Sequence, residues 1–98
     1  MTPERLRDLI AEGENLNVEF KGEERRPLSD RDLVEAVVCL ANRQTGEPGW
    51  LLLGVEDDGA VTGCRMTREG GTTEPVRVQA VIANNTRPSL TTRASIMD

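Results

Sequence analysis

Two acids and a lysine stand close together in the stretch ENLNVEFK, residues 14–21: Glu14, Glu19 and Lys21. Val18 and Phe20 alternate with Glu19 and Lys21, the period of a half-buried strand with the acid and the lysine on its polar face. Carboxylates so placed can hold a hard divalent cation such as Mg²⁺ or Mn²⁺, which takes oxygen ligands and is commonly shared with substrate phosphates. Such a cation polarises a phosphodiester and lowers the pKa of an attacking water. In an extended chain Glu14 and Glu19 would lie about 17 Å apart, so sharing one ion requires a fold-back between them. Gly13 to Asn17 suits such a bend. The plainer alternative is a solvated sheet face, on which Glu19 and Lys21 form an ion pair of little energetic weight.

The elements that would position these groups can be read along the chain. Thr2-Pro3-Glu4 has the residues of a helix start, Leu6, Leu9 and Ile10 form one apolar stripe, and Gly13 is a stop. The strand Val18 to Lys21 follows, then a charged loop holding Glu23, Glu24, Arg25 and Arg26 and ending in Pro27 and Leu28. Ser29-Asp30-Arg31-Asp32 resembles a capping box, and Leu33, Ala36, Val37, Leu40 and Ala41 continue at helical spacing, widened by Val34 and Val38. Asn42 to Gly49 is rich in turn residues, and Asn42 reads as the helix end. Trp50 to Val55 is a continuous apolar run, as in a strand covered on both faces. Asp57-Asp58-Gly59 signals a hairpin turn leading into a second strand, Ala60 to Cys64. Arg68 to Glu74 reads as a loop. Pro75 opens a third helix with Val78, Val81 and Ile82 on one face, and Leu90 to Ile96 alternates as a last strand.

The predicted order is α-β-α-β-β-α-β, an α/β (α+β) fold in which helices flank a small mixed sheet. The 98 residues make one domain, 1–98. Its last strand runs to the C-terminus with no turn or cap after it, so we expect a truncated domain, the N-terminal fragment of a longer natural chain.

Composition narrows the function. A net charge of −5 argues against binding nucleic acid by overall charge, though not against a local arginine patch, for which Arg25, Arg26 and Arg31 are candidates beside Lys21. With Phe20 and Trp50 as the sole aromatics, stacking of single-stranded bases has little support, and Trp50 reads as packing. Cys39 and Cys64 lack histidine partners, so they make no zinc set and read as reduced thiols. No signal peptide and no membrane-spanning run is apparent, and a cytoplasmic location is expected. A Walker A loop and a GxGxxG fingerprint are both absent, and a catalytic triad lacks its histidine.

Three motifs now stand in order. They are Glu14 before Glu19-Phe20-Lys21, Ala41-Asn42 at the end of the second helix, and Gly54-Val55-Glu56-Asp57-Asp58-Gly59-Ala60-Val61-Thr62-Gly63. In this order and spacing the chain resembles the Schlafen/AlbA-like domain family, catalogued as a DNA-binding domain and formerly as a "divergent AAA" region. The later helix and its Arg87-Pro88 also fit. One departure is the long loop Arg43 to Gly49, where the family usually places a Gly pair directly before the central strand. A second is length, since family domains typically run on for further strands.

The resemblance implies different activities by branch. Bacterial relatives are often joined to winged-helix segments and described as transcriptional regulators or helicase-related proteins. Eukaryotic relatives include endoribonucleases with a three-carboxylate site, and the matching positions are Glu14, Glu19 and Asp57, the last also explained by Asp-Gly turn chemistry. The leading expectation is a module binding DNA or RNA. The alternatives are a Mg²⁺- or Mn²⁺-dependent nuclease using those three acids as catalytic and metal-binding groups, and a dimerisation or assembly module.

Overall fold

The computed structural model describes residues 2–26, 28–43, 46–63, 67–68, 71–72, 75–86 and 92–95. Helix α1 (Pro3–Glu12) begins where Thr2 accepts the Arg5 N–H through its side chain at 3.1 Å. It ends at Gly13, whose φ of 84° lets its N–H close back on Leu9 and Ile10 carbonyls. Strand β1 (Val18–Lys21) follows, and helix α2 (Asp30–Ala41) starts at Ser29, whose hydroxyl accepts the Asp32 N–H at 3.1 Å. Asn42 caps α2 as the sequence suggests. Strand β2 (Trp50–Leu53), the two short strands β3 (Thr67–Arg68) and β4 (Gly71–Thr72), and helix α3 (Pro75–Asn84) complete the order.

β1 and β2 are parallel, joined through α2, with Val18 opposite Trp50 and Lys21 opposite Leu53. This register sorts the side chains into two layers. Val18, Phe20, Leu52 and Val55 pack with Leu9 of α1, with Leu6, Ile10 and Trp50 at the margin. On the opposite face Leu51 and Leu53 lie against a second cluster built from Leu28, Leu33, Val78 and Ile82. The unbroken apolar run of β2 is thus explained by helices on both of its faces, and the alternation of β1 by one apolar and one polar face. Burying Phe20 to 2% exposure is worth about 2–3 kcal/mol.

Three parts of the chain differ from the sequence reading. The return after Asp57-Asp58-Gly59 is no full strand among the described residues. It makes one antiparallel bridge, Val55 to Val61, and Gly54 O then accepts both Thr62 and Gly63 N–H. Val61 is 70% exposed, so no buried face holds the segment in register, and Gly63 has a φ of 88°. Cys64 lies outside the described residues. The stretch expected to be a loop, 68–74, contains β4 and the end of β3, an antiparallel pair with Thr67 opposite Thr72. In the expected last strand, Leu90, Thr91 and Ile96 lie outside the described residues, as do Arg87 and Pro88. Thr92 to Ser95 carry no strand, and the Ala94 N–H donates to the Gln79 side chain of α3 at 2.9 Å.

Candidate nucleic-acid interface

The fold-back that Glu14 needs is present. After Gly13, the Asn15 side chain accepts the Asn17 N–H at 2.8 Å, and Asn15 and Val18 exchange backbone hydrogen bonds at 3.0 and 3.2 Å. Glu14 Oε1 is thereby brought to 2.8 Å from the Phe20 N–H, beside Glu19. The bonds Trp50 N–H to Asn17 O and Gly54 N–H to Lys21 O show that odd-numbered residues of β1 face β2. Val18 and Phe20 therefore present their backbone groups to the outer edge, and Asn15 and Glu14 fill it. Glu14 is an edge cap: it satisfies an N–H that would otherwise invite another strand.

Glu19 is engaged as well. Its Oε2 accepts Arg43 Nη2 at 2.9 Å, and its Oε1 lies 3.6 Å from Lys21 Nζ. Arg43, just past the end of α2, also donates to the Asn15 carbonyl at 3.1 Å. The Glu19–Lys21 pair forms within β1, and the Arg43 side chain, 29% exposed, ties the pair to the α1–β1 turn.

Asp57 is exposed at the turn beyond β2. The turn is made by its neighbours. Asp58 Oδ1 accepts the Ala60 N–H at 2.9 Å, and Gly59 at φ 88° donates to Glu56 O at 2.9 Å. The acid that reaches back to the carboxyl end of β1 is Glu56. Its carboxylate accepts the Thr62 hydroxyl and lies over Gly22, where an added Cβ would fall 2.0 Å from it. Among the described residues no group of three or more His, Cys, Asp or Glu side chains is arranged to hold a metal ion. Glu14 and Glu19 each bond the chain itself, Glu14 through the Phe20 N–H and Glu19 through Arg43.

The cations divide in the same way. Lys21 faces Glu19, and Arg31 Nε pairs with Glu35 Oε1 at 3.2 Å on the exposed side of α2. Arg25 and Arg26 are exposed and make no ion pair with a described residue. The loop that carries them is anchored by Glu23, 2% exposed, whose Oε1 accepts the Leu28 N–H at 2.8 Å. Residues 22–28, expected as a charged loop, thus hold a buried acid. The available signal was Pro27, which has no N–H and leaves Leu28 as the next donor able to close the loop. Glu56 and Arg43 carry no such signal, because their partners are distant in sequence.

The fold is a small α/β domain built around the parallel pair β1–β2, with the Arg25–Arg26 loop at the carboxyl end of β1. The chain matches the family Schlafen, AlbA_2 over residues 14–98 and belongs to it. The matched span begins at the edge-capping Glu14, so α1 precedes it. No curated protein and no solved structure matches the chain significantly. No helix among the described residues is long and apolar enough to cross a membrane.

Proposed function

We propose that this domain binds nucleic acid, as the DNA-binding part of a bacterial transcriptional regulator or helicase-related protein acting in the cytoplasm. The observation that carries the reading is the family match over residues 14–98. Its physical complement is the exposed pair Arg25 and Arg26 beyond β1, where α/β sheets commonly take ligands. A net charge of −5 argues against binding by overall charge, so contact is expected at a local patch with few counterions released. Lys21 and Arg31 are paired with Glu19 and Glu35 and would join the contact only where phosphate displaced those acids.

One observation favours a second reading. Glu14 reaches the strand beside Glu19, the fold-back a metal-dependent endoribonuclease site with Glu14, Glu19 and Asp57 would require. Opposing it, both acids already have partners on the chain. Homodimerisation has no comparable support. The deciding experiment incubates the protein with labelled duplex DNA, single-stranded DNA and tRNA, with and without Mn²⁺, beside Glu19→Ala. Intact but retarded substrates are expected from both proteins. Metal-dependent cleavage lost in Glu19→Ala would replace binding with catalysis.

A further inference from the structure

We propose that Glu23 is a positioning residue: its buried carboxylate closes the 23–28 loop and holds Arg25 and Arg26 outward as a preformed contact for backbone phosphates. The inference rests on the nucleic-acid reading above and assigns the loop through which it acts.

Both ends of the loop are fixed. On the side of β1, Lys21 O accepts the Gly54 N–H at 2.8 Å, and the Glu56 carboxylate lies over Gly22. On the side of α2, Leu28 is 8% exposed and packs with Leu33, Val78 and Ile82, directly before the Ser29 cap. Between these anchors Glu24, Arg25 and Arg26 are exposed. The bond from Leu28 N–H to Glu23 Oε1 at 2.8 Å spans the loop.

A carboxylate is costly to bury and needs hydrogen bonds to offset the loss of water. A loop that merely links β1 to α2 could keep its acid in solvent. Burying Glu23 instead removes conformational freedom from the residues between it and Leu28. Two arginines on a loose loop would lose that freedom only on binding, at the expense of affinity, whereas a closed loop has lost it already. Arginine suits such a place because its planar fork makes paired hydrogen bonds to phosphate oxygens.

The test uses the full chain and a short labelled duplex DNA, followed by fluorescence anisotropy between about 50 and 200 mM salt. Arg25→Ala with Arg26→Ala should weaken binding roughly tenfold and reduce the salt slope by about 2. Glu23→Gln keeps an acceptor for the Leu28 N–H and should stay within about threefold of the parent, whereas Glu23→Ala should fall as far as the double arginine variant. If Glu23→Ala does not fold, two glycines inserted between Arg26 and Pro27 decide the matter. Both anchors and both arginines remain, the loop slackens, and affinity should still drop. Parent-like affinity in a folded Glu23→Ala or in the insertion variant would overturn the proposal. So would binding unaffected by loss of the two arginines, although the domain would then still bind nucleic acid elsewhere. A parent protein that shows no salt-sensitive binding fails at the earlier step, the nucleic-acid reading itself.

Discussion

Glu14 shows how one side chain can answer a structural need that resembles a chemical one. Its carboxylate accepts the outward N–H of Phe20 at 2.8 Å, and its neighbour Asn15 pairs with Val18. Replacing Glu14 with Ala leaves that N–H to solvent and should cost about 1 kcal/mol in urea unfolding, while Glu14→Gln, which retains an acceptor, should cost less than half of that. Exchange of the Phe20 amide with deuterium should quicken in the Ala variant alone. Arg43 offers a second check, since it holds both Glu19 Oε2 and the Asn15 carbonyl. Arg43→Ala should lower stability by roughly 1 kcal/mol, and part of that loss should vanish at high salt because the pair is partly exposed. At this scale the sequence was only half legible. The bend at Gly13 to Asn17 followed from residue types, whereas the pairing of Glu19 with Arg43 and the approach of Glu56 to Gly22 depend on segments brought together by the fold.

Among the elements, local rules were readable wherever the deciding contacts lie within a few residues. Thr2, Gly13, Ser29 and Asn42 mark helix ends where their side-chain or backbone chemistry demands them. The period of β1 and the unbroken apolar run of β2 foretold one polar face and two covered ones. The segment after Gly59 was not readable in this way. The turn signal Asp57-Asp58-Gly59 suggests a returning strand, yet Val61 faces solvent and one bridge is all the segment makes among the described residues. Removal of the Ser29 hydroxyl (Ser29→Ala) should destabilise α2 by about 1 kcal/mol. Leu52→Ala, at the centre of the α1-facing layer, should cost about 2–5 kcal/mol and bring the urea midpoint down without altering the slope. Trp50, the sole tryptophan, packs at the margin of that layer and provides the fluorescence signal for both measurements.

For the molecule as a whole, the net charge of −5 and the family Schlafen, AlbA_2 pull in opposite directions unless positive charge is local. The fold resolves this by neutralising some cations and leaving others open. Lys21, Arg31 and Arg43 are each spent on an acid of the chain, while Arg25 and Arg26 are not. Binding is therefore expected to be weak for a nucleic-acid-binding protein, steeply dependent on few contacts, and abolished by high salt. The most direct measurement is the slope of log affinity against log salt for a labelled duplex DNA, taken without divalent metal. Measurable binding at low salt with a slope of about −2 to −4 is expected, that is, a small number of phosphates contacted. Binding that ignores salt, or none at the lowest salt, would contradict it.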